Sequence, residues 1–225
     1  MIKKKVIITG ANGQIGRAFV KTLTEKNFFI YAIDLNIEKI STSENVQPVK
    51  LDITDEIAVY NFFSTLQNLD VLINNAGVGV RKSLDELNIE DFLKVFNVNV
   101  FGLALFTKEI IPYMIKESYG TIINIGSTAS LKGYKNGSIY SSSKFAVRCL
   151  TQCWQAELRS HNIRVCQVNP SEVTTAFGNS KRVEREDVDN KLTPKEISHS
   201  IISAIEMDDR GFVNELNIWA TNPFN

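Results

Sequence analysis

Seven short apolar runs, rich in β-branched residues, constrain the folding of this chain more than any other feature. They cover 5–9, 28–34, 46–51, 71–74, 121–126, 163–169 and 212–219. Helix-period patterns lie between most of them. Ile15, Phe19, Val20 and Leu23 mark a helix over 14–27, and Ile57, Phe62, Phe63 and Leu66 mark a second. A long helix over 89–116 carries Phe92, Val95, Phe96, Val100, Leu103 and Phe106 along one face. Two more are expected over 138–160 and 194–207, the last opened by Pro194. Short apolar strands alternating with helices signal a parallel sheet covered on both faces. The prediction is therefore α/β: one doubly wound domain over 1–225, with a mostly parallel sheet of about seven strands flanked by helices. Ligands of such sheets bind beyond the carboxyl ends of the strands. Functional residues are expected in the loops after Thr9, Asp34, Asn74, Gly126 and Asn169.

Charge and cysteine usage remove several classes of partner. The 25 Lys+Arg balance 25 Asp+Glu with no basic block, so no nucleic-acid footprint is present. No contiguous apolar run approaches bilayer-spanning length, and no membrane partner is expected. The N-terminus lacks the apolar core of a signal peptide. Three cysteines, an odd number, point to a reducing, cytoplasmic location. Cys149 and Cys153 lie four apart on a helix and are expected, with Cys166, as small buried hydrophobes. His161 and His199 sit in no metal-like spacing, so no metal site is predicted.

The first loop reads Thr9-Gly10-Ala11-Asn12-Gly13-Gln14-Ile15-Gly16, between the first strand and the first helix. Gly10 permits a tight turn, Gly13 lets the backbone approach a pyrophosphate, and Gly16 allows close helix–strand packing. The helix N-terminus then presents free N–H groups and its positive end to phosphates. Dinucleotide binding is the expectation. Asp34 ends the second strand, 18 residues after Gly16. Its carboxylate can accept both ribose hydroxyls of adenosine and repel the extra phosphate of NADP. NAD is therefore favoured. Arg17, a cation near the loop, keeps NADP as the lesser alternative.

Further motifs make the chain resemble the short-chain dehydrogenase/reductase family. Asn74-Asn75-Ala76-Gly77 is similar to its NNAG motif, and Asn99-Val100-Phe101-Gly102 to its N-x-x-G. Ser127, Tyr140 and Lys144 reproduce its Ser…Tyr-x-x-x-Lys spacing, and Asn169-Pro170 with Thr175 resembles its NPG-x-V-x-T segment. The resemblance covers about 5–176 and implies a Rossmann fold of the short-form branch. Two positions depart from it. Gln14 stands where that branch has glycine, and TGxxGxxG is closer to the extended branch. Ser171 replaces the glycine of NPG, adding a side chain near the nicotinamide.

The resemblance implies a cofactor site made of Gly10, Asn12, Gly13, Gln14, Ile15, Gly16, Asp34 and Leu35. Asp52 and Ile53 would flank adenine, and Asn75, Ala76 and Gly77 would line the adenosine side. Pro170, Val173 and Thr175 would meet the nicotinamide, together with Tyr140 and Lys144. It also implies a homodimer or homotetramer formed through the helices at 89–116 and 138–160, with Phe106 and Trp154 at the interface.

The catalytic reading has its own physical basis. Tyr140 and Lys144, at i and i+4, share a helical face. A free phenol titrates near a pKa of about 10, and a nearby ammonium stabilises the phenolate. Tyr140 then exchanges protons with a carbonyl or alcohol, and Ser127 donates to the substrate oxygen. By resemblance, Asn99 completes the set through a water linked to Lys144. The expected activity is NAD(P)(H)-dependent oxidoreduction of a small secondary alcohol or its ketone. A non-enzymatic dinucleotide sensor and an epimerase-like enzyme are the alternatives. Residues 171–192 are the expected substrate lid. Its charged stretch from Lys181 to Asp187 is read as a solvated face or short helix, with Lys181, Arg182 or Arg185 as the alternative contact to an anionic group. Val80, Arg81, Tyr134 and Phe177 are candidate pocket walls.

Overall fold

The computed structural model describes residues 3–178 and 183–223. β1 (Lys5–Thr9) leads into α1 (Gln14–Glu25), followed by β2 (Phe29–Asp34) and β3 (Val46–Lys50). α2 (Glu56–Ser64) precedes β4 (Val71–Asn74), and α3 (Ile89–Phe96) with α4 (Leu103–Glu117) precedes β5 (Gly120–Ile125). α5 (Ser138–Leu158) leads to β6 (Ile163–Pro170), and α6 (Pro194–Ile205) to β7 (Glu215–Ile218). The strands lie in the order β3-β2-β1-β4-β5-β6-β7, and every pairing is parallel.

The period of two along each strand divides the core into two layers. Val6 and Ile8 of β1 face one side, where Phe19 and Leu23 of α1 meet Ile197 and Ile201 of α6. Ile7 faces the other, with Phe63, Phe106, Ile110 and Met114. The helix ends show why these segments start where they do. Thr193 and Glu196 form a capping box around Pro194, which cannot donate and so suits the first helical position. Asp55 caps α2 by accepting from the amides of Ile57 and Ala58.

The chain builds β1, β2 and β3 outward, then returns to place β4 on the other side of β1. This reversal opens a crevice at the carboxyl ends of β1 and β4. The glycine loop leaves one strand there, and the Asn74–Gly77 segment leaves the other.

Four sequence expectations change. The helix over 89–116 is two α-helices joined by a π turn, Asn97–Gly102. As a single rod, Ile89–Glu117 is long and apolar enough to cross a membrane by length and composition, which counting contiguous apolar residues overlooks. Part of its apolar surface is core: Val95, Leu103, Phe106, Ile110 and Met114 are buried within the protein, while Ile89, Leu93, Phe101 and Ile115 are exposed. Phe106 is completely buried in the monomer, so it does not serve the expected subunit interface. Cys149 and Cys153 are exposed on the outer face of α5, and only Cys166 is buried. Both histidines lie at the surface, and no metal-binding group of side chains occurs among the described residues.

Candidate active site

The glycine loop is shaped by contacts that side chains would block. Gly10 has φ +67°, and a Cβ on it would lie 2.7 Å from the Ala76 Cα. A Cβ on Gly16 would collide with the Gly10 carbonyl. Gly13 is the N-cap of α1 and no side chain caps that end, so the first-turn amides remain available. A narrow glycine cradle at an uncapped 12-residue helix suits the diphosphate of a dinucleotide.

Asn75 joins the two loops of the crevice. Its side-chain amide donates to the carbonyls of Thr9 and Gly10 at 3.0 and 2.9 Å. Thr9 Oγ1 in turn accepts from the amides of Asn75 and Ala76, both at 3.1 Å. Asp34 lies beside the loop and accepts the Asn12 amide at 2.9 Å. Its other oxygen accepts from the Asn36 amide at 3.1 Å, and Leu35 between them is exposed. Asp52 folds its carboxylate onto the amide and hydroxyl of Thr54, while Ile53 is buried against Gly102.

The four residues expected to carry the chemistry come from three parts of the fold. Ser127 follows β5, Tyr140 and Lys144 project from α5, and Asn99 sits in the π turn. Ser127 stands close enough to Tyr140 to act on its phenol and favour the ionised form. Lys144 Nζ lies 5.8 Å from the Tyr140 ring centre and donates to the Ile125 carbonyl at 2.7 Å. Asn99 is clamped through its whole amide. Its oxygen accepts the Val78 amide at 2.8 Å, and its nitrogen donates to the Val78 carbonyl at 2.9 Å and to Ser143 Oγ at 3.0 Å. Gly77 keeps this floor open: a Cβ there would meet Asn99 Oδ1 at 3.3 Å and Lys144 Nζ at 3.9 Å.

Burial governs the titration of both catalytic candidates. It pushes the Lys144 ammonium down to about 8. It pushes the Tyr140 phenol well above its ordinary range, against the lowering effect of Ser127. The expected lowering of the phenol by Lys144 is thus not achieved by the protein alone. Desolvation dominates, and the ammonium is directed to a backbone carbonyl.

A polar network behind Ser127 was not evident from motif spacing. The Ser127 amide donates to Ser130 Oγ at 3.2 Å and to Asn169 Oδ1 at 3.3 Å. Gln167 donates to the same two oxygens, and Asn169 continues the network to Glu215 and Asn217. Gly126 has no room for a side chain, because a Cβ would strike Gln167 and Asn169. Asn169 was visible in a motif; Ser130, Ser143 and Gln167 carried no such signal.

The segment after β6 folds over the crevice. Thr175 is buried, Val173 bridges to Leu192, and the Phe177 ring packs on Tyr140 with centres 5.5 Å apart. Arg81 lies over the Tyr134 ring at 5.6 Å, and both act electrostatically on Tyr140. The two departures from the family pattern are engaged here. Gln14 Oε1 accepts the Ala176 amide at 2.8 Å, and its nitrogen donates to the Arg185 carbonyl at 3.4 Å. The Ser171 hydroxyl accepts the Ala220 amide at 3.2 Å, while Pro170 pairs with Ile218. Ser171 therefore ties down the end of β7. Residues 183–188 form no helix, and Arg185 pairs with Glu172 at 3.2 Å. Lys181 and Arg182 lie outside the described residues.

Residues 4–186 match the model of the short chain dehydrogenase family. A 3-ketodihydrosphingosine reductase of Bacteroides thetaiotaomicron is 32% identical over 185 residues, covering 79% of this chain and 67% of its own length. An NADP-dependent 3-hydroxy acid dehydrogenase of Schizosaccharomyces pombe is also 32% identical, over 225 residues that cover 90% of this chain and 86% of its own. Among solved structures, a 4-hydroxyisoleucine dehydrogenase complexed with NADH superposes with a TM-score of 0.86 at 26% identity, covering 99% of each chain. The convergence of Ser127, Tyr140, Lys144 and Asn99 at the crevice offers no support for a non-enzymatic binder. The chain belongs to the short chain dehydrogenase family and is a nicotinamide-dependent oxidoreductase acting on CH–OH groups.

Proposed function

We propose that the protein interconverts a small secondary alcohol and its ketone, with NAD(H) preferred and Tyr140 as the acid and base. The observation that carries this reading is the placement of Ser127, Tyr140 and Lys144 at the carboxyl end of β5, beside the glycine cradle. When bound, the nicotinamide supplies or takes up the hydride at the substrate carbon. Tyr140 carries the proton that the carbonyl oxygen takes up, and burial of its phenol has to be offset for that transfer. Ser127 binds that oxygen as negative charge develops on it. Lys144, on the same helical face as Tyr140, would hold the cofactor ribose and stabilise the phenolate left behind. Asn99 is a positioning residue that fixes Val78 and the loop carrying Gly77.

Tyr140→Phe tests the assignment. Turnover of a ketone panel, followed at the absorbance of the reduced nicotinamide, should fall by about 10²–10⁴-fold. Dinucleotide affinity should stay within about threefold, since the ring remains. Normal turnover in this variant would sink the acid–base role.

The NAD preference is supported by Asp34, whose carboxylate stands at the end of β2 beside Asn12. Equal catalytic efficiency with NADH and NADPH would count against it. Subunit pairing through α3, the π turn and α5 is supported by exposed Leu93, Phe101 and Phe145 on these elements. A cytoplasmic location is supported by three free cysteines, two of them exposed.

A further inference from the structure

Three charges near the glycine loop take no part in the chemistry above. Arg17 belongs to α1 and Lys39 to the connection after β2, yet both bind the same oxygen of Glu184, at 3.0 and 2.5 Å. Glu184 reaches them from 167 and 145 residues away in sequence. Asn12 gathers the cations beside Asp34. Its carbonyl accepts from Arg17 Nη1 at 2.6 Å, its side-chain oxygen accepts the Lys39 amide at 2.9 Å, and its own amide donates to Asp34 at 2.9 Å.

A guanidinium and an ammonium converging on one point form a ready site for a phosphate monoester. Here that point is taken by a carboxylate of the same chain. Hydrogen bonding from Lys39, then from Arg17, holds the Glu184 carboxyl below its ordinary range, so it stays ionised. With Asp34 and Glu184 against Arg17 and Lys39, the four side chains sum to zero charge. Removing the Glu184 charge would leave one positive charge facing the ribose end of the site.

We propose that Glu184 is a specificity-determining residue: its carboxylate occupies the Arg17–Lys39 pair and withholds those cations from the 2′-phosphate of NADP(H). The inference rests on the reading of Asp34 as the adenosine-ribose residue. It deepens that reading by giving the selectivity a second and separable source. Asp34 repels a 2′-phosphate directly, whereas Glu184 removes the cations that would attract one.

Two small probes isolate the phosphate. 5′-AMP and 2′,5′-ADP differ only in the 2′-phosphate, and calorimetric titration of the full-length protein at low ionic strength reads their affinities without turnover. Glu184→Gln keeps the shape and removes the charge. It should raise the ratio of 2′,5′-ADP to 5′-AMP affinity about tenfold, and added salt should shrink that gain. Adding Lys39→Gln to Glu184→Gln should bring the ratio back toward the original value. An unchanged ratio in Glu184→Gln overturns the proposal. So does an equal change in both affinities, because that would make Glu184 only a latch for its segment. The unmodified protein tests the underlying reading separately. Tighter binding of 2′,5′-ADP than of 5′-AMP there refutes the NAD preference, whichever way Glu184→Gln moves the ratio.

Discussion

Lys144 is a cation in a poor place for a cation. It is almost fully buried, and its one hydrogen bond goes to a neutral carbonyl, at Ile125. Desolvation therefore lowers its folded pKa to about 8, below the value of about 10.4 expected when unfolded. Below about 8 the residue is charged in both states and burial of that charge opposes folding. Between about 8 and about 10.4 the unfolded chain binds more protons, so stability rises with pH across this window. Lys144→Met should consequently stabilise the cofactor-free protein at pH 7 by about 1–2 kcal/mol, after allowance for the orphaned Ile125 carbonyl. Urea unfolding measures this, and a less stable variant would show that the ammonium is well accommodated. The same titration should bound activity. The ratio kcat/KM should fall as pH rises through about 8, where Lys144 loses its proton. The identity of this residue was readable from its spacing to Tyr140. Its burden was not, because Ile125 is a backbone acceptor on another element.

The long helical pattern from 89 to 116 shows what can and cannot be read at the scale of an element. Its apolar residues continue at helical spacing, so nothing in the pattern marks a break. Yet Asn97–Gly102 is a π turn, which places an extra residue in the helical winding. Such turns cost helix regularity, and here the local bonds of Asn99 offset that cost. A single buried amide satisfies both backbone groups of Val78 and reaches Ser143. Gly102, at the end of the turn, admits Ile53, whose Cγ1 would lie 2.8 Å from a Cβ there. Asn99→Ala should leave the Val78 amide and carbonyl without these partners and cost about 2–4 kcal/mol. The loop carrying Gly77 should loosen with it, so kcat should fall by more than about tenfold while the Tyr140 and Lys144 side chains remain. Thermal unfolding and steady-state rates measured together decide this. Intact stability with full activity would mean that the π turn is held by other contacts.

At the scale of the whole molecule, the doubly wound parallel sheet was legible because alternating strands and helices leave few alternatives, whereas the order of its strands was not read from the sequence. Short strands dominated by apolar residues need cover on both faces, and a reversal in the direction of the sheet follows from covering them. The site at that reversal was legible for the same reason, through the loops after Thr9 and Asn74. What escaped was contact between distant segments. Gln14 with Ala176 and Arg17 with Glu184 join ends of the chain more than 160 residues apart, and no periodicity carries that information.

The outer surface poses a similar problem, because exposed aromatic residues say only that something apolar is uncovered. Phe101 is 56% exposed and Phe145 43% exposed, on the π turn and on α5. The Phe101 ring meets Phe96 with centres 6.5 Å apart, and Phe96 and Trp154 pack on the small cluster of Val100, Leu103 and Val147. Scattered surface hydrophobes need no explanation, but a patch continuous with a buried cluster marks an interaction surface. If this face joins subunits, a charge introduced there would be desolvated without a partner on both sides of a two-fold interface. Phe101→Glu combined with Phe145→Glu should then convert the oligomer into smaller species, read by light scattering during size exclusion. Each Glu replaces a side chain exposed in the monomer, so the secondary structure seen by circular dichroism should persist. An unmodified protein with the mass of one chain would rule out the pairing, and an unchanged oligomer in the double variant would move it to another face.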